Sequence, residues 1–211
     1  MRILCADAAF VVVDKPAGQI VHPAPGHETG ALTDELVRRF PEMASVGSRE
    51  RPGVVHRLDI DTSGVMVFAR TQAAYLDLRR QFEAHRDVRK TYLAVCHWRH
   101  GLATKGTLTR PIDRQRAVSR YEVLGRQGAL ALVRFDIETG RTHQIRIHAA
   151  KELGCPIVGD PLYGDAARDR HLRRKPARTL LHAVELSFLH PLTKRRVTFV
   201  APPPNDLVYI G

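Results

Sequence analysis

The stretch VVHRLDIDTSGVMVFAR, Val54 to Arg70, sets apolar residues on both sides of a knot of charge and hydroxyls: His56, Arg57, Asp59, Asp61, Thr62, Ser63 and Gly64. An aspartate between two strands is commonly a turn former. Here Arg57 stands two residues before Asp59, and in an extended stretch the two project from the same side. A nearby cation keeps a carboxylate ionised. Thr62 and Ser63 bring hydroxyls that can donate hydrogen bonds within the same loop. A carboxylate held in this way can act as nucleophile or base. Asp61 competes for the role, since paired carboxylates carry out glycoside hydrolysis. Spacing alone leaves both open.

A second cluster lies in TGRTHQIRIHAA, Thr139 to Ala150, where Arg141, His143, Arg146 and His148 crowd together. A helix N-terminus with Arg141 beside it would suit an anion; a basic, solvated helix face is the plainer alternative. Ile145 and Ile147 flank Arg146, which places that arginine near the core and in need of a carboxylate partner. A metal site built on His143 and His148 is disfavoured, because their spacing puts them on different faces. Tyr92, in RKTYLAV, is either a core aromatic or a stacking platform for a nucleobase. PIVGDPLYG, Pro156 to Gly164, reads as a Gly-rich turn without the Lys-Ser/Thr of a phosphate-cradling loop, so no nucleotide cofactor is expected.

These residues need a scaffold. Phe10 to Asp14 is a short β-branched run ended by Lys-Pro-Ala-Gly, a strand and a turn. Leu32, Leu36, Val37 and Phe40 recur at helical spacing, with Thr29 placed to cap them. Val54 to Leu58 and Val65 to Ala69 read as strands on either side of the charged knot. Thr71 caps a helix that runs to His85, with Ala74, Leu78 and Phe82 on one face. RKTYLAVCHW is a strand. SRYEVLG and ALALVRFDIETG form two more, joined through Gly125 to Gly128, and Ala131, Val133, Phe135 and Ile137 share a face. THQIRIHAAKELG reads as a helix capped by Thr142 and ended by Gly154, although its Ile-Arg-Ile centre could also be a strand. TLLHAVELSFLHPLTKRRVTFVAPPP gives two strands around a turn at His190 to Arg195. Strands predominate and helices are interspersed irregularly. The predicted class is α+β, one domain over residues 1–211, with a mixed, mostly antiparallel central sheet.

Bulk properties agree with a globular protein that meets a polyanion. The chain of 211 residues carries 33 Lys and Arg against 22 Asp and Glu, a formal charge of +11. Nucleic acid is the commonest partner of such an excess. No basic amphipathic helix with a large apolar face points to a membrane surface. Cys5, Cys96 and Cys155 are few, odd in number and far apart, which suits neither a disulfide framework nor a paired-cysteine zinc site. The N-terminal apolar run is broken by Asp7 and then Asp14-Lys15-Pro16, unlike a signal peptide. A cytoplasmic protein is expected.

The segments DKPAGQIVHP, HRLDIDTSG, RKTYLAV, GRTHQIRIH, GDPLYG and LLHAVELSFLHP occur in the order found in the RluA-type pseudouridine synthases, and the chain resembles that family from about Phe10 to Pro202. The resemblance implies a central mixed sheet with a catalytic cleft. It implies isomerisation of specific uridines in structured RNA, ribosomal or transfer, with no cofactor and no metal. Asp59 would be the catalytic carboxylate, as nucleophile on the ribose or as base. Arg146 would pair with it, and Tyr92 would pack on the uracil. Arg57 would take the place of the flipped uridine, and Ile145 would lie beside the base. His56, Thr62, Ser63 and Arg141 complete the expected substrate-binding set.

Many relatives carry a small RNA-binding domain before the catalytic one; here the pattern begins within the first dozen residues and leaves no room for one. The segment from Trp98 to Tyr121 is shorter than the family leads one to expect and should form an RNA-facing hairpin or loop. Cys155 stands where a histidine is common. A monomer with no obligate protein partner is expected. Two other functions compete. A glycosidase would account for the carboxylates but not the charge. A non-catalytic RNA-binding protein would account for the charge but not the Asp-Tyr-Arg set.

Overall fold

The computed structural model describes residues 1–23 and 29–208. In chain order the elements are β1 (Arg2–Ala6), β2 (Phe10–Lys15), α1 (Leu32–Arg39), β3 (Gly47–Ser48), β4 (Arg51–Pro52), β5 (Ser63–Ala69), α2 (Gln72–Ala84), β6 (Arg89–His97), β7 (Lys105–Leu108), β8 (Ser119–Gln127), β9 (Leu130–Ile137), α3 (Gln144–Ile147), α4 (Ala166–Arg170), β10 (Leu181–Leu189), β11 (Arg196–Val200) and α5 (Asn205–Val208). A π-helical turn, His148–Glu152, follows α3 directly. The chain has the predicted α+β class with a mostly antiparallel sheet. No helix among the described residues is long and apolar enough to cross a membrane.

The described residues form two compact units, Met1–Arg89 with Glu185–Ala201, and Lys90–Val184 with residues 202–208. Strand β10 supplies residues to both.

In the first unit the strand order is β1-β2-β5-β10, with β11 on β10. β2 and β5 read as unbroken apolar runs because both of their faces are covered: Val11, Val12, Val13, Met66, Val67 and Phe68 are fully buried. Phe10 meets the ring of Phe188 edge-on at 5.3 Å and that of Phe199 at 6.0 Å. The turn from His190 to Arg195 joins β10 to β11 as expected. Thr71 Oγ1 accepts the Ala74 amide, and His85 closes α2 in the left-handed region at φ 56°, as its sequence predicts.

Two expectations in this unit are corrected. Thr29 does not cap α1. The first helical amides, of Leu32 and Thr33, instead donate to the carbonyls of Ile20 and Val21 at 2.9 and 3.0 Å, and the Asp34 carboxylate accepts from the Ala31 amide. Those donors are satisfied without a hydroxyl. Val54 to Leu58 is not a strand. Val54 makes one isolated bridge to Phe68, and the Val67 amide donates to the His56 ring at 3.1 Å rather than to a strand carbonyl. The chain therefore leaves the sheet at Val55, while β5 begins two residues early, at Ser63.

In the second unit the order is β10-β6-β9-β8-β7. β9 shows the predicted two-residue period, with Ala131, Val133 and Phe135 fully buried and Ile137 nearly so. The segment from Trp98 to Tyr121 contains β7, paired with β8, and a tight turn in which Ile112 and Gln115 exchange backbone hydrogen bonds. The alternatives for THQIRIHAA resolve to helix, but its cap is His143 at φ 55°, not Thr142. The first helical amide, of Gln144, needs no hydroxyl because it donates to the Arg141 carbonyl at 3.1 Å, and Gln144 Oε1 returns a bond by accepting from the Arg141 amide and from Thr139 Oγ1.

Candidate active site

In the first unit the charged knot is a clamped loop. The Thr62 amide donates to the Asp59 carbonyl at 3.1 Å, a turn that delivers the chain into β5. Leu58 is buried, Arg57 and Ile60 are exposed, and Asp59 and Asp61 are half-buried between them. Thr62 and Ser63 are buried at the start of β5. Lys15, fully buried, donates through Nζ to the carbonyls of Pro16, Gln19 and Ile60 at 3.0, 2.7 and 2.9 Å. The Gly18 amide donates to the same Ile60 carbonyl at 2.9 Å. One buried ammonium thus ties the turn after β2 to the residue following Asp59. An ion without water needs such a full set of acceptors.

His56 is held as well. Its Nε2 accepts from the Val67 amide, so that nitrogen carries no proton, and its ring stacks on Phe82 at 4.5 Å. Arg51 and Arg57 form a cationic flank beside His22. Burial, followed by Arg51 and Arg57, holds the His22 imidazole below its usual range and favours its uncharged form. Neither His22 nor Arg51 stood out in the sequence.

In the second unit Tyr92 lies on β6 opposite Phe135 and is 8% exposed. Arg146 is buried, and the carboxylate that holds it in this unit is Asp160: Nε and Nη2 each donate to it at 2.7 Å, a two-point fork. Asp160 Oδ1 also accepts the amides of Leu162 and Tyr163 at 2.9 and 3.1 Å. Burial opposes charge on Asp160, but Arg146 and those two amides outweigh it and keep the carboxyl below the ordinary range. The Arg146 guanidinium lies 5.3 Å from the Tyr163 ring, whose hydroxyl meets His143 Nδ1 at 3.1 Å. The sequence required a carboxylate for Arg146 but did not mark Asp160, which sits in what reads as a turn. Gly159 makes that turn feasible: it has φ +75°, and a β-carbon there would collide with the Arg178 carbonyl.

Arg141 and Ile145 enter the same local framework. Ile145 is buried, and Arg141 Nε donates to the Arg116 carbonyl at 3.2 Å. Gln144 Nε2 donates to the Val118 carbonyl and Ser119 Oγ, both at 3.0 Å. His148 Nε2 faces the Arg110 carbonyl at 2.9 Å and must donate to it; its Nδ1 then accepts from Ser119 Oγ. His148 is therefore committed to structure.

Lys90, two residues before Tyr92, donates to the Thr139 carbonyl at 3.0 Å with 8% of its surface exposed. Burial, with Arg141 adding to it, pulls its ammonium from 10.5 down to about 8. Between those two values the unfolded chain holds a proton that the folded chain has shed, so stability rises with pH across the window, by at most about 1.4 kcal/mol per pH unit. Lys90→Met is expected to flatten that rise. Urea unfolding of both proteins at pH 8, 9 and 10 checks it; parallel profiles would show that Lys90 does not titrate there.

Comparison with known proteins places this arrangement in a family. Residues 9–151 match the family model described as RNA pseudouridylate synthase. The chain belongs to that family. It is 44% identical over 208 residues to an uncharacterized RNA pseudouridine synthase of Chloroflexus aurantiacus, covering 92% of this chain and 63% of that protein. It is 43% identical over 229 residues to ribosomal large subunit pseudouridine synthase D of Xanthomonas campestris pv. campestris, covering 98% of this chain and 67% of that one. The chain thus spans about two thirds of the length of these curated relatives. Among solved structures, human RNA pseudouridylate synthase domain containing 4 superposes with a TM-score of 0.75 at 28% identity, covering 98% of this chain and 90% of that one.

Proposed function

We propose that the protein is an RNA pseudouridine synthase and that residues 1–211 act as one catalytic domain. The bond from N1 of uracil to ribose C1′ breaks, the base rotates, and C5 is joined to C1′. The proton lost from C5 is balanced by the one gained at N1, so no oxidant, metal or cofactor is required. Asp59 is the catalytic carboxylate, Tyr92 packs on the uracil, and Arg146 is the paired cation. Arg57 fills the space that the extruded uridine leaves. Family membership together with the Lys15-clamped loop at Asp59 carries this reading.

The substrate is a uridine in a stem-loop of ribosomal RNA, with transfer RNA as second choice. Extrusion of a base costs a few kcal/mol and is cheapest where stacking is already interrupted. The enzyme works as a monomer in the cytoplasm. Its affinity comes from phosphate contacts of Arg57, Arg141 and the Arg110 to Arg120 and Arg168 to Arg178 segments, which position the RNA but carry little sequence information.

Pseudouridine-specific labelling of RNA from cells with and without the protein tests the activity and locates the site. A short stem-loop containing that uridine should then react nearly as well as the whole RNA. Binding should fall with a log–log salt slope of about −0.7 to −0.9 per phosphate contacted. Release of free uracil would instead indicate a glycosidase. Bound but unaltered RNA would indicate a binding protein, and a stem-loop left inert where the long RNA reacts would overturn local recognition.

A further inference from the structure

The second unit holds a pocket of about 440 Å³ whose lining includes none of the candidate catalytic residues. Its floor is apolar: Val95, Val158 and Leu180 are buried, and Leu130 and Leu172 pack against them. Its rim is cationic, formed by the consecutive residues Arg173, Arg174 and Lys175, all exposed. No hydrogen bond or ion pair among the described residues engages these three side chains.

The segment that carries them is a strap fixed at both ends. Before it, Asp169 Oδ1 meets His97 Nε2 at 2.7 Å, and Oδ2 accepts the Gly159 amide. After it, Arg178 forks onto Asp206 at 2.7 and 2.8 Å and donates to the carbonyls of Thr179 and Leu181. Asp206, the one acidic lining residue, is thereby neutralised. What remains is an apolar hollow of a size suited to a small ligand, edged by positive charge from three neighbouring side chains. Apolar lining suits a flat base; guanidinium planes can stack on it, and cations can hold the phosphates on either side.

We propose that this pocket takes an unpaired nucleobase of the bound RNA, apart from the uridine that reacts, with the flanking phosphates on Arg173, Arg174 and Lys175. The inference rests on the reading of the protein as an RNA enzyme and adds a second anchoring point to it.

The test uses short oligonucleotides that cannot be isomerised. Fluorescence anisotropy would compare an adenylate hexamer with an abasic hexamer of equal length and charge. The adenylate is expected to bind about tenfold more tightly, the order of one base–side-chain stacking contact. Ala177→Trp, a filling substitution at an exposed position on the mouth, should abolish that preference and leave abasic binding intact. Neutralising the rim with R173Q, R174Q and K175Q together should weaken both ligands. As a measurement that needs no variant, an 8-azidoadenylate hexamer should photo-crosslink to peptides spanning residues 127–130 or 171–180. Equal affinity for the two hexamers, or crosslinks confined to other segments, would overturn the proposal. If the base preference is present but no RNA gains pseudouridine, the pocket stands and the catalytic reading falls; if pseudouridine forms without a base preference, the reverse holds.

Discussion

Replacing Asp59 with asparagine is expected to abolish pseudouridine formation, by at least the about 10²–10⁴-fold that one positioned acid–base group supplies. The substitution keeps the side chain's shape and removes only its charge and basicity. The backbone of the loop keeps its own fastenings in the variant: the Thr62 amide on the Asp59 carbonyl, and Lys15 on that of Ile60. The variant should therefore unfold close to the wild-type midpoint and bind stem-loop RNA with similar affinity. Single-turnover assays at saturating RNA separate the chemical step from binding. Asp61→Asn should be much milder. Comparable losses in both folded variants would mean that the two carboxylates act as a pair.

The second large effect is on stability. Arg146→Ala removes both arms of the fork on Asp160 and leaves that buried carboxylate to the Leu162 and Tyr163 amides. Breaking a buried ion pair from one side costs roughly 3–5 kcal/mol, a large share of the stability of a protein this size. Urea unfolding should show the drop, and activity should fall with it. Arg146→Lys should recover part of the charge but not the planar two-point geometry, so an intermediate midpoint is expected. An alanine variant with wild-type melting and full activity would reduce Arg146 to a surface cation.

The two variants separate two kinds of residue. Asp59 sits half-exposed in a loop, where change is tolerated structurally. Arg146 is 6% exposed, where every polar atom needs a partner.

Local signals determined most of the elements. Period-two alternation marked β9, the Thr71 hydroxyl marked the start of α2, and unbroken apolar runs marked β2 and β5, because burial and capping are read from neighbours in sequence. The signals failed where a distant group replaced the local one. Thr29 and Thr142 looked like caps, but the carbonyls of Ile20, Val21 and Arg141 accepted the first helical amides instead. Val54 to Leu58 looked like a strand, but the His56 ring took the Val67 amide.

The candidate site divides in the same way. The sequence by itself determined which residue types could do chemistry: an aspartate beside an arginine, an aromatic on a strand, and an arginine between isoleucines that had to find a carboxylate. Only the tertiary structure decided that Asp160, fourteen residues on, supplies one. It likewise decided that Lys15 reaches across forty-five residues to the Ile60 carbonyl, and that the basic strap closes over an apolar hollow. Burial creates a demand that the sequence displays, but the partner that meets it is set by which distant segments the sheet brings within hydrogen-bond reach, and no spacing along the chain encodes that distance.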